Sequence, residues 1–374
     1  MIEPGIYFNM DEDTYHADPA LGSSSIKQLL INPVRWWRKS PWGEKFFTEN
    51  GLASEPTERE TAAKIMGRAT HCVVLEPHTF DDKFIEYESA GPEYLRTRDQ
   101  IREALKEIHG EDRMPKGASL PDLQRAATLE GLPIYDDWKE HWEAKVNGRT
   151  VISQGLMTTI RLIDKMLNIP RPDLGGKSIR EDTLSNGAPE VSVFWIEDDV
   201  RMKMRVDWLR TMGMVDVKTY AASDDHVPVS RFLSSVATYG YDLQREHYTA
   251  GWFAMADLIQ QGAVFGADEK QADLIQRIRI NPEKPPAWRW LPIQTIGVPE
   301  IDRIDYTATQ IAASASLQRR QAIETYRRNL EMFGLDEPWV AMRPRIIADD
   351  TTFEASFVAR RMTGRGEVTW ETAE

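Results

Sequence analysis

The period of the hydrophobic pattern changes near residue 190, and this change constrains the fold more than any other feature. Upstream, apolar residues recur every three or four positions. From Glu190 they alternate: EVSVFW, VRMKMRVDWLR and MVDVKTY read as three consecutive strands, turned at Glu197-Asp198-Asp199 and at Thr211-Met212-Gly213. Strands embedded between helical stretches predict an α/β fold. At 374 residues the chain is long for one compact domain, given a usual size of about 150 residues, so it holds two modules or one large domain with insertions.

Helical segments surround the strands. A serine of Gly22-Ser23-Ser24-Ser25 caps IKQLL, and Asn32-Pro33 ends that helix. VRWWRKSPW then interleaves Trp36, Trp37 and Trp42 with Arg35, Arg38 and Lys39. Residues 51–60 are polar and read as a loop. A helix from Glu58 to about Leu75 carries Ala62, Ile65, Met66, Ala69 and Val73 on one face. Charged amphipathic helices fill residues 95–170. A long helix is expected from Val229 to Gln261, a strand at WRWLPIQTI, and a last helix from Thr307 to Phe333 stopped by Gly334. The tail after Thr351 reads as irregular.

Composition excludes several classes. Forty-six basic against 59 acidic residues give a net charge of −13, so the chain does not coat DNA nonspecifically, and any nucleic-acid role rests on local basic patches. No apolar run approaches the roughly 20 residues needed to span a bilayer. The N-terminus lacks the basic and apolar regions of a secretory signal. One cysteine, Cys72, excludes a disulfide framework, a thiolate zinc site and a four-cysteine iron–sulfur cluster. A cytoplasmic location is expected.

The chemistry sits in the strands. In VRMKMRVDW, Met202, Met204 and Val206 point one way and Lys203, Arg205 and Asp207 the other. In VDVKT, Asp216 and Lys218 share a face. A hairpin centred between Thr211 and Met212 sets Asp207 across from Asp216; one turning at Met212-Gly213 sets Asp207 across from Lys218. Either gathers two carboxylates and one ammonium on one surface. Facing carboxylates repel, and a divalent cation reverses the sign. Hard oxygen donors without thiolates suit Mg²⁺ or Mn²⁺. A lysine beside them can reach a metal-bound water or the charge on a phosphate. The plain alternative is a salt-bridge ladder on a solvated strand. Gln244 and Tyr248 stand at i and i+4 on one helical face, and so do Gly67 and His71. The glycine there lets another backbone approach, and the imidazole can ligate a metal. Ordinary packing is the alternative for each.

Taken in order, GxxxH, a carboxylate, D-x-K and QxxxY resemble the RecB/RecE-type nucleases of the PD-(D/E)xK superfamily. The closer resemblance is to the RecE-like (exodeoxyribonuclease VIII) catalytic domain of phages and prophages. It runs from GIYFNMDEDTYHADPALGSSSIKQLLINPVRWW through MGRATHCVVLEPHTF, GRTVISQGLMTTI, PEVSVFW, KMRVDWL, VDVKTYAASD and YGYDLQREHYTAGW to the helix before EPWVAM. The resemblance implies a mixed central sheet flanked by helices, within a single nuclease domain. Residues 1–95 would form an N-terminal helical part carrying GxxxH, 96–170 a helical insertion, 185–300 the catalytic core and 301–374 a C-terminal helix and tail.

The resemblance also implies roles. Asp207 and Asp216 would hold Mg²⁺, with the Val217 carbonyl and His71 completing the shell; Mn²⁺ would substitute. Lys218 would orient the attacking water, Gln244 and Tyr248 would steady Lys218 or the scissile phosphate, and Glu190 would assist a second ion. Ser24, Lys27, Arg35 and Arg205 would meet DNA, although Gly22 stands where the family commonly has a serine. Arg201, Lys203, Arg319, Arg320, Arg327 and Arg328 would line a positive inner surface, and Trp36 and Trp37 would stack on a frayed end or pack in the core. The implied activity is digestion of linear double-stranded DNA from the 5′ strand, leaving a 3′ overhang. The implied partners are other copies of the chain, in a trimeric or tetrameric ring, and a single-strand annealing protein of the RecT type. The competing readings are an endonuclease of the same superfamily and an inactive DNA-binding scaffold.

Overall fold

A computed structural model of the chain describes residues 1–52, 61–110, 117–221, 228–307 and 310–340. The chain forms two compact units, Met1–Ser24 with Glu55–Arg320, and Ser25–Ser54 with Gln321–Glu374.

The strands of the first unit are, in chain order, β1 (Gly5–Tyr7), β2 (Phe84–Glu86), β3 (Thr150–Ile152), β4 (Gly187–Glu197), β5 (Val200–Arg210), β6 (Gly213–Tyr220), β7 (Val264–Phe265), β8 (Ala287–Gln294), β9 (Glu300–Ile301) and β10 (Ile304–Tyr306). Eight of them build one mixed sheet in the order β10-β8-β6-β5-β4-β1-β7, with β9 on β8; β2 and β3 pair separately. The three alternating segments are the antiparallel run β4-β5-β6, and WRWLPIQTI supplies β8, parallel to β6.

Helices cover both faces. Alternation along β8 sends Leu291 and Ile293, with Val215 and Val217 of β6, toward the helices Ala62–Leu75 and Gln154–Leu167, where Val73, Val74, Ile160 and Ile163 complete a core. Trp288 and Trp290 point the other way; Trp288 meets Tyr248 of the helix Tyr241–Gln260 edge-on. Thr61 and Ser153 start their helices by accepting the backbone N–H three residues on.

The expected single helix from Val229 to Gln261 is two, Pro228–Tyr239 and Tyr241–Gln260. Gly240 separates them at φ +61, a left-handed turn that glycine adopts without steric cost. Asn32-Pro33 also starts a helix, Pro33–Arg38: the Asn32 side chain accepts from the Arg35 N–H at 3.0 Å. The helix expected from Glu58 begins at Ala62 among the described residues, and residues 58–60 lie outside them, as does the tail after Thr351. Within 96–170, the helices Arg98–His109 and Leu120–Leu129 pack Ile101, Leu105, Leu123, Ala127 and Ile134 into a small core of their own. The helix Gln154–Leu167 instead belongs to the main core.

In the second unit Trp36 and Trp37 are both core residues. Trp36 meets Tyr326 edge-on at 5.2 Å and lies 4.9 Å from Trp339; the Trp37 indole donates to the Leu335 carbonyl at 2.8 Å. With both rings buried, stacking on a DNA end is not their role.

Candidate active site

Pairing of β5 with β6 runs from Arg210↔Gly213 through Leu209↔Met214 to Trp208↔Val215. The turn is therefore Thr211-Met212, and continuing the register sets Asp207 opposite Asp216. The strands part there: the Val217 N–H donates to Asp207 Oδ2 at 2.7 Å.

Pairing of β4 with β5 lapses at the same level. Pro189↔Trp208 and Val191↔Val206 are in register, but Glu190 and Asp207 between them do not pair. Glu190 has φ +51, a left-handed conformation that a non-glycine residue rarely holds. The lapse changes which way side chains point. Met204 lies against the helix Tyr241–Gln260, so close that a Cβ on Gly251 would come 2.5 Å from its sulfur. Trp208, four residues on, packs with the core of the His71 helix. A regular strand would keep both on one face. The switch of faces therefore falls between Met204 and Trp208.

This irregularity brings Glu190 and Asp207 to His71. One ligand atom from each of the three lies within 4.8 Å of the other two, and His71 Nδ1 is 3.9 Å from Asp207 Oδ2. Gly67 is not needed for a close approach: a Cβ there would meet Thr219 Oγ1 at 3.6 Å, an ordinary contact.

On β6, Lys218 Nζ donates to Asp216 Oδ1 at 2.7 Å, and Gln244 Nε2 donates to the same oxygen at 2.9 Å. Gln244 therefore holds the carboxylate that holds the lysine. Tyr248 does not reach Lys218; its hydroxyl donates to the Arg205 carbonyl at 2.8 Å and braces β5. The Val217 side chain is in the core. Tyr241 places its ring centroid 5.0 Å from Lys218 Nζ. The motif QxxxY did not point to it; the signal available was its place three residues before Gln244 on the same helical face.

Burial and the facing Asp216 push the Asp207 pKa up to about 7. Burial, then Asp207, raises that of Glu190. Burial, then the Lys218 ammonium, lowers that of His71 and leaves the imidazole neutral and able to ligate. Burial opposes the charge on Lys218, but Asp216 and Asp207 outweigh it and hold its pKa above the ordinary lysine value. Asp216 Oδ2 is buried and meets no hydrogen-bond donor among the described residues. An unsatisfied buried oxygen of this kind costs about 1–3 kcal/mol. Crowded carboxylates, an orphaned carboxylate oxygen and a neutral imidazole, without a thiolate, are a donor set that fits a hard divalent cation.

Four of the basic residues expected on a DNA-facing surface are spent inside the fold. Arg205 Nε donates to Glu190 Oε2 at 2.6 Å, and Nη1 donates to the Met10 carbonyl and to Ser192 Oγ, each at 3.0 Å; it clamps the candidate site instead of facing a ligand. Lys203 is buried, with Nζ donating to the carbonyls of Tyr15 at 2.8 Å and Asp18 at 2.6 Å. Arg201 donates to the Ile2 carbonyl and pairs with Asp18. Arg319 reaches Glu197 with both terminal nitrogens, at 2.7 and 2.5 Å. Arg320, Arg327 and Arg328 are exposed. Ser24 is exposed on the helix Ser23–Ile31; Lys27 and Arg35 belong to the second unit, where Arg35 is exposed.

No helix among the described residues is long and apolar enough to cross a membrane. A search of curated proteins finds no match. Among solved structures, the chain is similar to a protein from Eubacterium rectale named as a candidate exonuclease, at 11% identity and a TM-score of 0.40, over 98% of this chain and 97% of that one. The family model described as a PDDEXK-like domain of unknown function (DUF3799) matches residues 44–281. Spanning more than half the chain and enclosing His71, Glu190, Asp207, Asp216, Lys218 and Gln244, that match makes the protein a member of the DUF3799 family of PDDEXK-like domains, a nuclease fold.

Proposed function

We propose that the chain is a divalent-metal-dependent exonuclease of the RecE-like (exodeoxyribonuclease VIII) kind. It would hydrolyse linear double-stranded DNA from 5′ ends and leave 3′ single-stranded overhangs. One observation carries this reading: Asp207 and Asp216 face each other where β5 and β6 part, with Lys218 hydrogen-bonded to Asp216 and with His71 and Glu190 beside Asp207.

Asp207, Asp216, Glu190 and His71 are the residues that would hold Mg²⁺, with Mn²⁺ as a substitute. Such an ion, when bound, supplies Lewis acidity toward phosphate oxygen and water. The remaining work belongs to the chain. Lys218, pinned on Asp216 Oδ1, orients the attacking water or takes up charge on the phosphate as water adds to phosphorus and the P–O3′ bond breaks. Gln244 keeps the Asp216 carboxylate in place, and Arg205 does the same for Glu190. A ring of copies would reconcile DNA binding with a net charge of −13, because only an inner surface needs to be positive. The 3′ overhang would suit a single-strand annealing partner of the RecT type in phage-type recombination.

The test is digestion of end-labelled linear duplex and of covalently closed circles, in Mg²⁺ and in chelator. The expected result is loss of the linear substrate in Mg²⁺ only, with 5′ label released first and circles intact. Lys218→Ala should lower the rate by about a thousandfold or more while the thermal midpoint holds. Cleavage of circles would make the chain an endonuclease, and absence of Mg²⁺-dependent cleavage would leave a DNA-binding scaffold.

A further inference from the structure

We infer that Tyr241 is a positioning residue that holds the Lys218 ammonium against the face of its ring; the consequence for catalysis rests on the role given to Lys218 above. Lys218 Nζ lies between two groups, Asp216 Oδ1 at 2.7 Å and the Tyr241 ring centroid at 5.0 Å. The second distance is within the range of an effective cation–π contact. The ring is itself fixed. It stacks on Phe232 at 6.2 Å and 26°, and Phe232 is fully buried against Trp290 and Tyr220.

The local backbone explains the placement. Gly240, left-handed at φ +61, ends one helix and lets Tyr241 begin the next, so that Gln244 follows one turn later on the same face. A single helical turn thus delivers a ring to the ammonium and an amide to the carboxylate beneath it. The chemistry of the restraint matters. A lysine on a strand has a long flexible stem and three N–H donors. A second carboxylate would restrain it only by neutralising it and taking another donor. An aromatic face attracts the charge without accepting a directed hydrogen bond, so the donors not used by Asp216 stay available to water or phosphate.

The contact is read first without any reaction. In the full-length protein with ¹³C-labelled lysine, ring current from Tyr241 should shift the Lys218 ε signal upfield. The signal is assigned by its loss in Lys218→Arg, and it should return to the ordinary lysine position in Tyr241→Leu. An unshifted Lys218 signal in the wild-type chain overturns the inference, whether or not the protein cleaves DNA. Activity then tests the consequence. Tyr241→Phe should keep most of kcat, whereas Tyr241→Leu should lower kcat about three- to thirty-fold with KM unchanged. Phenylalanine analogues bearing one, three and five ring fluorines at this position should lower kcat progressively, because fluorination drains the ring face while keeping its shape. A flat series, or a rise in KM in place of the fall in kcat, means that the ring only packs. Wild-type chain inactive on DNA, with the Lys218 signal still shifted, removes the nuclease reading and leaves the contact standing.

Discussion

Glu190 and Asp207 face each other across β4 and β5 at a level where the two strands do not pair, and Glu190 holds a left-handed backbone to do so. The restraint on that strained residue is Arg205, whose Nε lies 2.6 Å from Glu190 Oε2. Arg205→Gln should free the Glu190 carboxylate. Residues that orient a ligand in this way typically carry ten- to a hundred-fold in metal affinity. Titration calorimetry with Mn²⁺ should show a loss of about that size, and Arg205→Lys should recover part of it. Unchanged Mn²⁺ affinity in Arg205→Gln would remove Glu190 from the ligand set.

Asp207 gives the metal-free protein a distinctive pH dependence. Its folded pKa, pushed up to about 7, lies above the unfolded value near 3.8. Between those values the folded state binds more protons than the unfolded one, so stability falls as pH rises. Urea unfolding in chelator should show the stability of the wild type relative to Asp207→Asn highest near pH 4 and dropping by a few kcal/mol toward pH 7. Asp207→Asn should raise the midpoint at pH 7. Added Mn²⁺ should do the same for the wild type. A slope of the opposite sign between pH 4 and 7 would count against facing, uncompensated carboxylates.

His247 acts in the opposite direction. It is fully buried, with Nε2 2.9 Å from the Lys203 carbonyl and Nδ1 3.4 Å from Arg319 Nε. One nitrogen donating and the other accepting requires the neutral ring. Burial, then the Arg319 charge, brings its pKa down to about 3. The unfolded chain takes up the proton near 6.5 and the folded one does not, so stability is lost as pH falls from 6.5 toward 3. This residue alone contributes about 1.4 kcal/mol for each pH unit. Where the two effects overlap they oppose each other, and the Asp207→Asn variant, which lacks the aspartate effect, exposes the histidine slope. His247→Gln in that background should abolish it.

Gln244 shares Asp216 Oδ1 with Lys218. Gln244→Ala should lower kcat about tenfold by loosening the carboxylate, in line with the loss of one charge-assisted hydrogen bond. Gln244→Glu should do more damage, because it sets a third carboxylate beside Asp207 and Asp216. A glutamate variant faster than the alanine variant in Mg²⁺ would show that the amide does not serve Asp216.

The fold was legible wherever a face is buried. β4, β5, β6 and β8 announce themselves because alternate residues enter two different cores, as Val215 and Val217 do on one side and Trp288 and Trp290 on the other. Gly240 was hidden because a left-handed turn leaves the apolar period on either side almost undisturbed. The grouping of Asp207, Asp216 and Lys218 was legible from spacing; their register was not, since two turn placements differ by one residue. The basic residues of β5 could not be read from sequence at all. Charge at alternate positions looks the same whether it meets solvent or, as with Lys203 and Arg205, a ring of backbone carbonyls and a half-buried glutamate.

The switch of sides between Met204 and Trp208 has a consequence for how such a chain can change over time. Both strands must slip phase together, at Glu190 and at Asp207, or every residue beyond the slip would turn its oily side to water. Deleting one residue from either strand would therefore unmake the interior along with the acids. Drift that erases the site has to proceed by substitution, leaving the strand lengths as a record of what once stood there.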